Sequence, residues 1–375
     1  MRILMTADTL GGVWTYAMEL IHALHAKGVD VSLATMGRPL SREQRADIRR
    51  SGCDSVFESC FKLEWMDEPW SDIESCGEWL MRIERDVSPD VVHLNQYCFG
   101  SLPWRAPVLT MCHSCVLSWW LAVRGESAPQ KPWARYRQAV CRGLGGADVV
   151  VAPTQAMLCS MKRLYGLRAP SVVIPNGRSS WRLHAAKKQA FVFAAGRLWD
   201  EAKNIAALDR IEPNLAWPVY VAGEAECVGR GQEASGFQPR NCALLGQLSA
   251  AEVAEWMARA TIYCLPARYE PFGLSVLEAA LSGCALVLGD IPSLRENWDD
   301  AASFVPPGDD DALCAALNNL IEHESARMSL ARRSLRRASD FGVDRMVSAY
   351  LSAYQSLMSR HDVASGGWEA SACAS

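Results

Sequence analysis

Ile262-Tyr263-Cys264-Leu265-Pro266-Ala267-Arg268-Tyr269-Glu270-Pro271-Phe272-Gly273-Leu274-Ser275-Val276-Leu277-Glu278-Ala279-Ala280 is the stretch on which the fold turns. Its first four residues form an apolar run of strand length. Residues 266–270 read as a loop, Pro271 marks the first turn of a helix, and Gly283 is its stop. A strand handed to a helix through a short loop is the repeating unit of a parallel sheet covered on both faces.

The same unit recurs on both sides of this stretch. Strands are expected at 191–195, 219–222, 243–245 and 285–288, which makes the second half a doubly wound sheet. Runs at 3–7, 29–35, 91–94, 108–111 and 149–152, with a helix over 13–27, predict another sheet in the first half. A chain of 375 residues suits two domains of ordinary size. Pro175-Asn176-Gly177 is turn chemistry, and 178–189 is polar, basic and unpatterned, so the linker between domains is placed there. The expected division is 1–178 and 190–343. Helices are expected over 312–321, 325–337 and 344–359, with 361–375 as a flexible tail.

Half the residues are hydrophobic and 21% are charged, the balance of a chain that buries a core. The formal net charge of -4 offers no global attraction to nucleic acid or an anionic membrane, so an anionic ligand needs a local cluster of cations. The 14 cysteines are scattered, several inside apolar runs, which suits a reducing compartment better than a disulfide framework. The N-terminal apolar run, broken at Asp8, Gly11 and Gly12, is too short for a signal peptide. No run of about 18 apolar residues is present either. A cytoplasmic protein is expected, with peripheral contact at the inner membrane face left open.

Ligands of open parallel sheets bind outside the carboxyl ends of the strands, so motifs placed there carry the chemistry. Gly11 and Gly12 follow the first expected strand and open the first helix, which suits either a ligand close to the backbone or a tight turn. Arg197 and Lys203, six residues apart in the loop after 191–195, could grip two phosphates or sit solvated on a turn. Glu270 stands just before the helix that Pro271 opens. Glu278 lies eight residues on, within an apolar helix. A carboxylate buried there needs a partner, either a ligand diol such as a ribose or a structural arginine.

Glu270 to Glu278, with Glu-Pro-Phe-Gly-Leu and Leu-Glu-Ala around them, resembles the E-x7-E motif of the retaining glycosyltransferases of family 4. Gly196-Arg197-Leu198 with Lys203-Asn204 is similar to the same family's G-R-L…K-N motif. Val173-Ile174-Pro175-Asn176-Gly177 is similar to its interdomain strand and turn, and Gly11-Gly12 to its glycine loop. Taken together in this order, the four motifs are specific where each alone is not.

The resemblance implies a GT-B fold: two Rossmann-like domains facing across a cleft, with a last helix, about 344–360, crossing back to the first. It implies a hexosyltransferase that moves a sugar with retention from a nucleotide-diphosphate sugar to a carbohydrate or lipid-linked acceptor, without a metal, in polysaccharide or glycoconjugate assembly. Arg197 and Lys203 would hold the diphosphate, Glu278 the ribose, and Glu270 would stand beside the transferred sugar. Phe272, Gly273 and Leu274 would offer backbone N–H groups, and His113 would reach the sugar's hydroxyls. His93 resembles a position facing the cleft, with Asn95 where many members carry a second His. Ala225 stands where the family commonly has a second glycine for the nucleotide.

Other signals read as structural. Cys112-His113-Ser114-Cys115 has no second ligand pair at zinc spacing, and Asp309-Asp310-Asp311 reads as a helix cap rather than a metal-binding D-x-D. Arg332, Arg333, Arg336 and Arg337 suit a solvated face or acidic lipid, and Trp119 and Trp120 suit core packing or a sugar platform. Acceptor recognition is assigned to loops over 38–60 and 115–132. Two rival functions on the same fold are a nucleotide-sugar epimerase and a non-catalytic sugar-nucleotide-binding subunit.

Overall fold

The computed structural model describes residues 1–179, 186–224 and 239–372. The chain divides into two compact units, the first comprising Met1–Ser118, Ala128–Gly177 and Val343–Ser375, the second Trp119–Ser127 and Arg178–Gly342. Each is built on one wholly parallel sheet.

In the first unit β1 (Arg2–Asp8), β2 (Asp30–Met36), β3 (Ser55–Glu58), β4 (Val91–Leu94), β5 (Val108–Met111), β6 (Val149–Ala152) and β7 (Ser171–Val173) lie in the order β3-β2-β1-β4-β5-β6-β7. In the second, β8 (Gln189–Ala195), β9 (Val219–Ala222), β10 (Ala243–Gly246), β11 (Ala260–Leu265), β12 (Ala285–Gly289) and β13 (Ser303–Val305) lie in the order β10-β9-β8-β11-β12-β13. The strand order reverses between β1 and β4 in one sheet and between β8 and β11 in the other. The carboxyl edge at such a reversal is the place where doubly wound sheets bind ligands.

Alternation along the central strands fills both faces. Phe193, Tyr263, Leu265, Leu286 and Leu288 pack into one apolar cluster. Val192, Ala194, Ile262, Cys264 and Val287 pack into another. Side chains two apart share a face, so two clusters on one sheet require helices above and below it.

The last helix, Val343–Ala372, belongs to the first unit, because Met346, Val347, Tyr350, Tyr354 and Leu357 recur at helical spacing and are all buried. It runs on where a flexible tail was expected from 361. Residues 373–375 lie outside the described part.

Three further expectations are corrected. The 38–60 segment is not a loop: it holds the helix Arg42–Ser51 and β3, and the helix is started by a reciprocal capping box between Ser41 and Gln44. The 115–132 segment holds the helix Val116–Arg124, and Trp119–Ser127 belongs to the second unit rather than to the first. Arg178 is no free linker residue either, since its N–H donates to Phe341 O. The rest of the linker at 180–185, and Ala225, lie outside the described residues.

Four arginines on the helix Glu324–Ala338 do not share one task. Arg333 Nε and Arg337 Nε donate to the carbonyls of Asp300 and Asn297, while Arg332 and Arg336 are exposed. Asp309 caps the helix Asp310–Glu322 by accepting from Ala312 N at 2.8 Å, and Asp310 pairs with Arg210. No helix among the described residues is long and apolar enough to cross a membrane.

Close approach of backbone fixes two glycines in the helix Gln130–Gly146, Gly143 and Gly146. A Cβ on Gly143 would lie 1.7 Å from Tyr97 O, whereas one on Gly145 would meet nothing within 4 Å. Gly143→Ala should therefore lower the urea midpoint of unfolding by the equivalent of about 2 kcal/mol or more. Gly145→Ala should leave it unchanged or raise it, by up to about 1 kcal/mol. Equal midpoints for the two variants would contradict this packing.

Candidate active site

In the second unit the loops that follow β8 and β11 meet at the carboxyl edge where the strand order reverses. Asn204 joins them. Its side-chain Nδ2 donates to Pro266 O at 3.0 Å and to Pro307 O at 2.7 Å, so one buried amide ties the ends of three strands together. Its backbone is left-handed, φ 55°, a conformation asparagine tolerates better than most residues. The N–H of Arg268 adds a bond to Ala202 O at 2.8 Å.

Each of the four charged residues singled out in the sequence has a protein partner. Arg197 Nη2 donates to Asp200 Oδ2 at 2.8 Å, Lys203 Nζ to Glu270 Oε2 at 2.5 Å, and Arg178 Nε to Glu278 Oε1 at 2.8 Å. Asp200, which sequence reasoning passed over, is the most deeply set of the carboxylates, its side chain only 3% exposed. Its other oxygen accepts from Trp119 Nε1 at 2.9 Å and Ala202 N at 3.0 Å. Burial pushes the Asp200 carboxyl up, but Arg197 and Lys203, with the bonds from Trp119 and Ala202, outweigh it and hold the group below the usual carboxylate range. The signal in the sequence was its place between two cations in a loop after a strand.

Trp119 is therefore bound to the Arg197 loop, with the Arg124 guanidinium over its ring at 5.7 Å and paired with Glu201. Neither a plain core position nor a free platform describes it. Arg178 answers the question of a partner for Glu278 with the structural alternative. One carboxylate oxygen of Glu278 is taken; Oε2 has no hydrogen-bond partner among the described residues.

At the start of the helix Leu274–Leu281, Gly273 has φ 90° and its N–H donates to Glu270 Oε1 at 3.0 Å. The expected trio of free N–H groups is thus reduced to Phe272 and Leu274, and the Phe272 ring is buried against Phe341. Glu270 is locked from both ends, by Lys203 and Gly273, while Ser293 Oγ donates to its carbonyl at 2.5 Å.

The first unit sets out a second group of residues at the reversal between β1 and β4. Gly11, exposed and with φ 70°, ends the turn after β1 and precedes the helix Gly12–His25, which has no side-chain cap. After β5, His113 Nε2 lies 2.7 Å from Asn95 Oδ1, and Tyr16 meets the imidazole edge-on at 4.7 Å between centroids. His93 does not face solvent. It is fully buried, with Nδ1 2.6 Å from Tyr354 OH and Nε2 3.3 Å from Tyr16 OH, and Tyr16 OH donates onward to Tyr350 OH. The tyrosines of the last helix enclose it.

No group of His, Cys, Asp and Glu among the described residues is arranged to hold a metal ion. The described cysteines, Cys112 and Cys115 included, are free thiols.

Two parallel-sheet units with loops converging at each switch point define a GT-B protein. The solved structures it is similar to include sucrose-phosphate synthase from Thermosynechococcus elongatus (TM-score 0.80, 15% identity, covering 96% of this chain and 100% of that one). Another is Anabaena HepE in complex with UDP and glucose (TM-score 0.74, 16% identity, covering 95% and 100%). The Glycosyltransferase Family 4 model matches residues 10–180 and the Glycosyl transferases group 1 model matches residues 189–323. The chain belongs to glycosyltransferase family 4.

Among relatives, a phosphatidyl-myo-inositol mannosyltransferase of Mycolicibacterium smegmatis is 31% identical over 154 residues, spanning 39% of this chain and 40% of that protein. A D-inositol 3-phosphate glycosyltransferase of Kribbella flavida is 20% identical over 389 residues, 92% of this chain and 90% of its own.

A carboxylate held below its unfolded pKa adds stability that is present above the unfolded value, about 3.9, and lost as the pH falls through the folded one. Wild-type protein should thus lose thermal stability more steeply below about pH 4 than Asp200→Asn does. Parallel acid limbs for the two proteins would show that Asp200 is not held ionised by its neighbours.

Proposed function

We propose that this protein transfers a sugar, with retention, from a nucleotide-diphosphate sugar to an acceptor hydroxyl, in polysaccharide or glycoconjugate assembly. The observation that carries this reading is the pairing at the β8–β11 edge, where Arg197 and Lys203 are each held by one carboxylate and still keep donors to spare. A guanidinium has five N–H donors and an ammonium three, and each spends one on its partner. The remainder suit the oxygens of a diphosphate, with Phe272 and Leu274 N–H groups beside them.

Glu278 Oε2 suits a ribose hydroxyl, and Glu270, rigid between Lys203 and Gly273, suits a hydroxyl of the sugar. From the first unit, Gly11, Gly12 and His113 serve the transferred sugar. The acceptor is a carbohydrate or a lipid-linked hydroxyl.

In the transfer, the bond from the sugar's anomeric carbon to the phosphate oxygen breaks and its electron pair stays on that oxygen. The acceptor oxygen bonds to the same face of the carbon. Its proton passes to the departing phosphate, giving the glycoside and the free nucleoside diphosphate. Arg197 and Lys203 stabilise the charge that develops on the leaving group, a task for which other enzymes use a metal ion.

Calorimetry with UDP-, GDP- and ADP-sugars tests this. One nucleotide class should bind in about the micromolar range, more weakly to Lys203→Ala and Glu278→Ala. Release of nucleoside diphosphate with acceptor present should fall roughly 100- to 1,000-fold in Arg197→Ala and Lys203→Ala, and a chelator should leave it unchanged. Donor binding without turnover would favour a binding subunit, and acceptor-independent release of an altered sugar an epimerase. If no donor binds, the reading fails.

A further inference from the structure

Asn95 and His113 stand at the carboxyl edge of the first sheet, after β4 and β5, and their hydrogen bonds determine each other. Asn95 Nδ2 donates to Thr6 O at 2.6 Å, and the Asn95 backbone N–H donates to Thr6 Oγ1 at 3.0 Å. A carbonyl oxygen only accepts, so the amide cannot be turned round without placing two acceptors together. Its Oδ1 is thereby directed at His113 Nε2, 2.7 Å away. An amide oxygen also only accepts, so that nitrogen must carry the proton.

A neutral imidazole has one N–H, which leaves Nδ1 as a bare lone pair. Among the described residues Nδ1 has no hydrogen-bond partner, and it is not sealed from solvent. Burial lowers the His113 pKa to about 3, so the doubly protonated ring does not compete near neutral pH.

We infer that Asn95 is a positioning residue, which holds His113 in its Nε2–H tautomer so that Nδ1 accepts a hydrogen bond from a hydroxyl of the sugar. This rests on the sugar-contacting role proposed for His113. A lone pair rewards a hydroxyl and repels an anionic oxygen, so the contacted position of the sugar carries a hydroxyl rather than a carboxylate. Tyr16, edge-on to the ring and itself bonded to Tyr350, limits rotation of the imidazole.

The tautomer is read directly from long-range proton–nitrogen spectra of the full chain labelled with 15N-histidine, with His113 assigned from its loss in His113→Gln. Wild-type His113 should show a protonated Nε2 and an unprotonated Nδ1. Asn95→Leu, which offers no acceptor, should give a mixture of tautomers. Nucleoside diphosphate release from the UDP-, GDP- or ADP-hexose that binds should fall about 10- to 100-fold in Asn95→Leu, the usual scale for losing an orienting partner, with donor affinity at the second-unit residues kept.

A protonated Nδ1 in wild type, or an unchanged tautomer in Asn95→Leu, would overturn the inference outright. Full activity in both Asn95→Leu and His113→Gln, with the tautomers as expected, would also overturn the positioning role. The fault would then lie in the sugar contact and not in the ring assignment.

Discussion

A carboxylate withdrawn from water must be given partners, and at the edge of the second sheet that requirement shapes everything around it. Asp200 is buried in a loop that sequence places between two cations. It stays ionised there through nearby Arg197 and Lys203, the Trp119 indole and a backbone N–H. The guanidinium is thereby aimed, the loop is closed, and Lys203 is left to Glu270. Glu270 in turn takes the N–H of Gly273, which fixes the start of the helix Leu274–Leu281. One desolvated charge sets the order of the next.

For the proposed transfer, pairing of this kind would serve better than free cations. An unpaired lysine or arginine at the surface keeps its rotamer freedom and must lose it when a phosphate binds. Cations already held by one bond have lost that freedom in advance, and their spare donors point where the loop geometry sends them. Asn204 contributes the rigid frame, since three strand ends share a single amide. Stabilisation of the proposed leaving diphosphate would depend on donors that need not reorganise as charge develops.

The first unit solves the opposite problem. Around His113 the polar groups that meet the ring are neutral, and order comes from the direction of hydrogen bonds: Thr6 orients Asn95, Asn95 orients His113, and beneath them Tyr354, His93, Tyr16 and Tyr350 form a buried chain. Burial lowers the His93 pKa to about 3, with nearby His113 adding to the effect, so this chain is uncharged near neutrality. Its members come from β4 and from helices at the two ends of the sequence, so the last helix is needed to complete it.

Periodicity and turn chemistry determined the two parallel sheets, because a strand buried on both faces needs a continuous apolar run whatever it packs against, and the motif loops then had to fall at carboxyl edges. Short edge strands such as Ser303–Val305, and the helix begun by Ser41, were not legible. The first has too few residues to show a period, and the second has a mainly exposed, polar sequence whose only start signal is its cap. Arg197, Lys203, Glu270 and Glu278 could be named from the chain alone as candidate charged groups, but their partners could not. Asp200, three residues after Arg197, is a local partner, whereas Trp119 and Arg178 became partners only when distant segments were brought within hydrogen-bond reach, since the energy of a buried charge depends on what surrounds it in space.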